Sequence, residues 1–87
     1  MSKSRKLFTD SKKVTPSGVN SPVRYFDPYP FFTKKSNGAY IWDEDNRRYI
    51  DFCNAYGALL LGHRRKEIMN SVSKQLSKGT LYCTPTA

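Results

Sequence analysis

Residues 31–53 read FFTKKSNGAYIWDEDNRRYIDFC and say more about the fold than any other part of the sequence. Short runs of aromatic and β-branched residues alternate here with turn-forming residues, which is typical of strands joined by tight turns. Tyr40 and Trp42 should share one face of the middle strand, because side chains two residues apart in a strand point the same way. The runs predict three strands, over 31–34, 39–43 and 49–53.

Two turns separate these strands. The first is predicted at Ser36-Asn37-Gly38 and the second at Asp45-Asn46. Asparagine, aspartate and glycine tolerate the left-handed backbone angles that tight turns require. Because each strand then leads directly into the next, we expect a small antiparallel meander of two or three strands.

A helix is predicted on each side of the meander. Residues 4–14 have helical spacing, with Ser4 as the N-cap and Pro16 beyond the end. The face of this first helix consists of Leu7, Phe8, Ser11 and Val14. Gly79 is the predicted stop of the second helix, whose apolar face consists of Ile68, Met69, Val72 and Leu76. The predicted fold class is therefore α+β, with an N-terminal helix, a small antiparallel β-meander and a following helix.

The loop before the meander contains the run Gly18-Val-Asn-Ser-Pro-Val-Arg24. Pro22 fixes its own φ and disfavours a helical conformation at Ser21, while Gly18 tolerates angles that other residues avoid. Arg24 is therefore expected at the end of a stiffened loop, where its planar guanidinium suits bidentate recognition of a carboxylate or phosphate. The alternative is an ordinary surface turn in which Arg24 pairs with Asp27.

Five aromatic residues and two prolines lie within residues 25–32, which read YFDPYPFF. Such a cluster serves either for packing within a protein or for stacking against nucleic-acid bases. Packing is favoured, because the prolines make this segment a connector and the only charges nearby are Arg24 and Asp27. We expect the rest of a longer protein, or a second subunit, to cover its apolar surface.

The chain has 87 residues and a net charge of +8, from 15 basic and seven acidic residues. Nucleic acid and acidic surfaces are the partners that such a charge favours. The basic residues are dispersed over several predicted elements, however, so solvated faces account for them and no nucleic-acid partner is expected. Cys53 and Cys83 lack the paired spacing of a zinc or redox site. No apolar run approaches the roughly 18 residues of a membrane span, and the prediction is a cytoplasmic protein without a membrane partner.

No complete catalytic or metal-binding set is present in the sequence. His63 is the only histidine and has no partner at a recognisable spacing, so a role in packing or at a helix start is favoured over catalysis. Each of the nine lysines has a polar, charged or turn-forming neighbour, which is the wrong setting for Schiff-base chemistry. We therefore assign no catalytic, cofactor-binding or metal-binding residue, and expect the reactive centre of any enzyme outside this segment.

Residues 16–24, PSGVNSPVR, resemble the N-terminal signature of the glutamate-1-semialdehyde 2,1-aminomutase family, which lies within the class III pyridoxal-phosphate aminotransferases. The resemblance covers essentially all 87 residues and continues through Asn37-Gly-Ala-Tyr-Ile-Trp-Asp43, Arg48-Tyr-Ile-Asp-Phe52, Leu61-Gly-His63 and Thr84-Pro85-Thr86. The pattern of strands, loop and helix is shared across class III. The run that ends at Arg24 is similar to the aminomutases in particular.

The resemblance implies a fold-type-I enzyme in which residues 1–87 are the N-terminal segment, with part of the small domain and the start of the substrate site. It implies a homodimer, a small-molecule substrate, and pyridoxal 5'-phosphate bound by the missing part of the chain, where the large cofactor domain lies. The implied reaction converts glutamate-1-semialdehyde to 5-aminolevulinate for tetrapyrrole synthesis. In the family, the residues equivalent to Ser21 and Arg24 lie near the substrate carboxylate, and the residue equivalent to Tyr56 lines the substrate pocket. The segment alone is expected to be inactive.

Two alternatives stay open at this point. Another class III aminotransferase would share the architecture and place a different group at position 24 for its own substrate, and the run from Gly18 to Arg24 argues against it. A free-standing basic nucleic-acid-binding module would lose affinity steeply with salt. The dispersed distribution of charge argues against that second alternative.

Overall fold

The computed structural model describes residues 2–87 and contains a three-stranded sheet with helices before and after it. In chain order the elements are α1 (Lys3–Ser11), two 3-10 turns (Pro16–Gly18 and Pro22–Arg24), β1 (Thr33–Asn37), β2 (Tyr40–Asp43), β3 (Arg48–Ile50), a one-turn segment α2 (Asn54–Gly57) and α3 (Lys66–Leu76). The predicted α+β class and its antiparallel meander are confirmed.

The sheet has the order β1-β2-β3, and both neighbouring pairs are antiparallel. Asn37 pairs with Tyr40, so Gly38 and Ala39 form the first turn, slightly later than predicted. Gly38 has a φ of 56°, which a two-residue hairpin turn requires. The first strand is displaced accordingly, to Thr33–Asn37 from the predicted 31–34, and the other two are shorter than predicted. The Tyr40 and Trp42 rings share a face, with centroids 6.2 Å apart.

Asp43 organises the turn between β2 and β3, where Asn46 has the predicted left-handed conformation, with a φ of 64°. Asp43 is 1% exposed. Its Oδ1 accepts hydrogen bonds from the backbone N–H groups of Asp45 and Arg47, at 2.9 and 2.8 Å, and its Oδ2 accepts one from the Tyr49 hydroxyl at 3.0 Å. Burial by itself would raise the pKa of this carboxyl, but the hydrogen bonds outweigh burial and the pKa is lowered.

Helix α1 begins and ends earlier than predicted. Ser2 is the N-cap instead of Ser4, and its Oγ accepts a hydrogen bond from a backbone N–H of the first turn at 3.1 Å. Ser4 is buried, and its Oγ accepts a hydrogen bond from the Phe32 backbone N–H at 3.0 Å, which ties the helix to the segment before β1. Because the helix ends at Ser11, Val14 lies outside the face predicted for it and is 84% exposed.

Phe8 and Pro30 are the only buried apolar side chains among residues 2–87, and Phe8 is the larger of the two. Phe8 packs against the loop of residues 18–24, called here the motif loop: a Cβ on Gly18 would come within 2.9 Å of Phe8 Cε2, so only glycine fits. The edge of the Tyr25 ring approaches Phe8 with centroids 6.0 Å apart, and the Lys12 ammonium lies 4.3 Å from the Phe8 centroid. This small core fixes the motif loop against α1.

Helix α3 spans Lys66–Leu76, which confirms the second predicted helix. Gly79 follows it with a φ of 120°, and its N–H donates to the Gln75 carbonyl at 3.0 Å. The apolar face of α3 faces solvent: Ile68, Met69, Val72 and Leu76 are all exposed. Within residues 2–87, no helix combines the length and the apolar character needed to pass through a bilayer.

Candidate substrate site

An open groove of about 480 Å³ lies between the motif loop, the aromatic connector (residues 25–32) and α2. Arg24 and Tyr56 both line this groove, and Phe26 and Phe31 give it apolar walls. Ser21 lines an adjoining groove of about 710 Å³, which shares Val19 and Asn20 of the motif loop with the first. The structure therefore brings two of the three predicted substrate residues together and places the third next to them.

The motif loop presents Arg24 as predicted. Ser21 is extended, with φ and ψ of −156° and 141°, and its carbonyl accepts the Arg24 backbone N–H at 3.0 Å across the turn begun by Pro22. No carboxylate within residues 2–87 lies at ion-pair distance from the exposed Arg24 guanidinium. Asp27, the alternative partner, accepts a hydrogen bond from the Tyr25 hydroxyl at 3.3 Å instead. The alternative prediction of a local Arg24–Asp27 pair is therefore wrong, and the Arg24 guanidinium is available to an external anion.

Tyr56 reaches the groove from an unusual backbone conformation that the sequence did not predict. Asn54, Ala55 and Tyr56 have φ angles of 51°, 52° and 58°, and Gly57 follows at 87°, so α2 is a left-handed turn. Such a conformation costs roughly 1–2 kcal/mol for each non-glycine residue. Asn54 and Gly57 were the local signals for it, since both residue types tolerate positive φ. Ala55 and Tyr56 carry no such signal.

The Asp51 carboxylate holds the start of this turn. Its Oδ1 accepts the backbone N–H groups of Cys53 and Asn54 at 2.9 and 3.0 Å, and its Oδ2 lies 2.6 Å from His63 Nε2. The His63 hydrogen bond, followed by that of the Asn54 N–H, lowers the pKa of the Asp51 carboxyl. His63 therefore has a carboxylate partner that its position in the sequence did not indicate. The prediction that it begins a helix is wrong, because Arg65 is the N-cap of α3.

The side chains that line the groove suit the binding of a small ligand. All nine lysines are exposed and none lines the groove within residues 2–87. The same residues contain no group of three or more histidine, cysteine, aspartate or glutamate side chains placed to hold a metal ion. The guanidinium and the aromatic walls suit a small ligand with an anionic group and an apolar body.

Comparison with known sequences finds similar proteins that are named as aminomutases. A glutamate-1-semialdehyde 2,1-aminomutase of Nitrosopumilus maritimus is 86% identical over 81 residues, which are 93% of this chain and 19% of that protein. Glutamate-1-semialdehyde 2,1-aminomutase 1 of Cenarchaeum symbiosum is 60% identical over 95% of this chain and 20% of that protein. The chain therefore spans about a fifth of the length of the curated relatives it matches.

Comparison with solved structures places the same fold in transaminases. An omega-transaminase from Sphaerobacter thermophilus superposes with a TM-score of 0.94 at 35% identity, over 98% of this chain and 19% of that chain. A transaminase solved with PLP bound superposes with a TM-score of 0.93 at 31% identity, over 97% of this chain and 20% of that chain. The family model for aminotransferase class-III matches residues 22–87. The chain belongs to the class-III aminotransferase family.

Proposed function

We propose that this chain is the N-terminal part of a pyridoxal-phosphate-dependent aminomutase that converts glutamate-1-semialdehyde to 5-aminolevulinate in tetrapyrrole biosynthesis. It would contribute part of the small domain and one wall of the substrate site. The observation that carries the proposal is the exposed Arg24 guanidinium, free of carboxylate partners within residues 2–87, at the groove that Tyr56 also lines. The 86% identity to the Nitrosopumilus maritimus aminomutase supports the choice of substrate.

In this proposal the three substrate residues orient the ligand and take no part in bond making. Arg24 binds the substrate carboxylate with two parallel hydrogen bonds, which fixes both position and direction. Ser21 supports the backbone of Arg24 through its carbonyl, while Tyr56 closes the apolar side of the groove. Holding the carboxylate end keeps the distant carbons, between which the amino group is exchanged, in a reactive geometry.

Pyridoxal 5'-phosphate is the cofactor we propose for the complete protein, on the strength of the family and of the similar transaminase that has PLP bound. When bound, it supplies the carrier for amino-group transfer. The residues of this chain do not fit its covalent anchor, because every lysine is exposed and none lines the groove within residues 2–87. We therefore assign its binding to the part of the longer protein outside this chain.

We further propose that the complete protein is a cytoplasmic homodimer that binds neither nucleic acid nor membranes. Exposed apolar side chains of the connector, such as Phe26 at 56% and Phe31 at 43%, support an interface there. Several basic side chains lie over aromatic rings, which gives them a role within the chain: Lys12 over Phe8, Lys35 over Trp42 and Arg48 over Tyr40.

The test is to express the complete protein from its full reading frame and to record its absorption spectrum before and after adding glutamate-1-semialdehyde. The expected result is a cofactor band that shifts on addition, together with the appearance of 5-aminolevulinate. A cofactor band without 5-aminolevulinate, but with amino-group transfer to another substrate, would assign the protein to a different class III activity. Absence of a cofactor band would overturn the proposal.

A further inference from the structure

Tyr56 reaches the groove from three successive non-glycine residues in the left-handed region, Asn54, Ala55 and Tyr56 itself. L-amino acids avoid this conformation, and it persists only where the surrounding structure holds it in place. The Gly57 N–H donates to the Cys53 carbonyl at 3.2 Å, and the Leu59 N–H donates to the Asn54 carbonyl at 3.0 Å. These two bonds join the backbone across the turn, and contacts from outside the turn hold its first residues.

The outside support comes from Asp51, just before the turn. One carboxylate oxygen accepts the N–H groups of Cys53 and Asn54, which are the first two donors of the turn. The other oxygen is 2.6 Å from His63 Nε2, and the two side chains are only 9% and 16% exposed. A short contact of this kind, largely shielded from water, fixes the carboxylate more firmly than an exposed pair would.

His63 is itself anchored to the sheet. Its backbone N–H and C=O exchange two hydrogen bonds with Gly38, each 2.9 Å long, at the turn between β1 and β2. The preceding Gly62 lies so close that a Cβ there would be 3.1 Å from the Gly38 carbonyl oxygen. A continuous set of contacts therefore runs from the hairpin turn through His63 and Asp51 to the turn that carries Tyr56.

We propose that Asp51 and His63 are a positioning pair that holds Tyr56 at the substrate groove. Neither side chain lines the groove within residues 2–87, so the pair acts through the α2 backbone and does not touch the substrate. The inference rests on the proposed function for the identity of the ligand, a carboxylate-bearing semialdehyde. The geometry of the pair and of the turn is independent of that identity.

The first measurement is amide hydrogen exchange across residues 52–58 in the complete holoenzyme, which requires no activity. His63→Ala and Asp51→Ala should accelerate exchange in this segment by about tenfold or more, as expected for loss of a hydrogen bond to a charged group. Asp51→Asn retains an acceptor for both N–H groups and should show a smaller acceleration. The matched control is Asp10→Asn, which removes an exposed pair with Lys13 and should leave this segment unchanged.

The second measurement separates positioning from general stability. His63→Ala should raise KM for glutamate-1-semialdehyde about tenfold with little change in kcat. In a Tyr56→Ala background the same substitution should raise KM no further, because the residue through which it acts is gone. A wild-type holoenzyme that does not turn over this substrate would refute the proposed function, and the exchange data would then decide on the positioning pair. Unchanged exchange in His63→Ala, or additive effects with Tyr56→Ala, would overturn the pair itself.

Discussion

Replacing Arg24 should affect ligand binding and leave folding intact, because its guanidinium has no carboxylate partner within residues 2–87. In the complete protein we expect Arg24→Ala to raise KM for glutamate-1-semialdehyde on the order of 10- to 100-fold, the loss of hydrogen bonds between two charged groups. Arg24→Lys should raise KM by less than Arg24→Ala does, since lysine keeps the positive charge but lacks the planar guanidinium.

Steady-state kinetics and product analysis check this prediction. Arg5→Ala is the matched control, because Arg5 is exposed on α1 and alanine is a good helix former. It should leave KM unchanged. Normal saturation of Arg24→Ala with glutamate-1-semialdehyde would contradict the role assigned to Arg24.

Asp43 makes the stability of the β2–β3 turn depend on pH. Its folded pKa is lowered below 3.8, so the unfolded state binds the proton more readily. The contribution of this carboxylate is therefore complete above about pH 4 and is lost as the pH falls through the folded pKa. The stability of Asp43→Asn should no longer contain this acid-sensitive contribution. Tyr49→Phe removes one of the three hydrogen bonds to Asp43 and should lose only part of the contribution. Melting temperatures of the complete protein against pH measure the difference, and parallel curves for wild type and Asp43→Asn would contradict it.

Individual site residues differed in how far the sequence could predict them. The stiffened loop before Arg24 follows from glycine and proline chemistry within seven residues, and the structure has the predicted extended Ser21. The Asp51–His63 pair joins residues 12 apart in sequence. Its geometry depends on the backbone pairing of His63 with Gly38 in the β1–β2 turn. Local patterns do not contain that information.

At the scale of elements, periodicity predicted the three strands and both longer helices, while their ends were shifted by contacts from elsewhere. The sequence predicted Ser4 as the N-cap of α1, whereas the structure has Ser2 in that position. The choice is made by the Phe32 backbone N–H, which donates to Ser4 Oγ and so removes Ser4 from capping. The short α2 was missed for a different reason: no propensity favours three left-handed residues in a row, and neighbouring elements impose them.

Two glycines with nearly the same φ angle allow a paired test of how elements pack. Gly57 and Gly62 have φ angles of 87° and 81°, so alanine at either position costs about 1 kcal/mol for conformation alone. A Cβ at Gly57 would meet nothing within 4 Å, whereas one at Gly62 would lie 3.1 Å from the Gly38 carbonyl oxygen. We expect Gly62→Ala to destabilise the protein by a further 1–3 kcal/mol or so.

Denaturant unfolding of the two variants of the complete protein measures this difference. Hydrogen exchange at the β1–β2 turn should accelerate only in Gly62→Ala, because only that change pushes His63 away from Gly38. Equal losses in the two variants would mean that the close approach of Gly62 to the hairpin turn contributes nothing to stability.

At the scale of the whole molecule, residues 2–87 are more open than a compact domain of similar length. Their radius of gyration is 16.4 Å, against about 12 Å for a compact domain of this length. Phe8 and Pro30 are the only buried apolar side chains within residues 2–87, while Leu60, Phe52 and Leu81 are about nine-tenths exposed. Hydrophobic burial is the dominant favourable contribution to folding, and here it is largely unrealised.

We therefore expect residues 1–87, expressed alone, to bind a hydrophobic dye such as ANS and to melt without a cooperative transition, whereas the complete protein should melt cooperatively and bind little dye. The exposed face of α3 should account for much of this binding. Val72→Ser should reduce dye binding by the isolated segment and destabilise the complete protein, where that face is expected to be covered. Ser73→Ala, its neighbour on the same helix, should do neither. A sharp melting transition in a monomeric isolated segment would contradict this prediction. It would show that the meander and its helices are stable even when their apolar surface is not covered by another part of the protein.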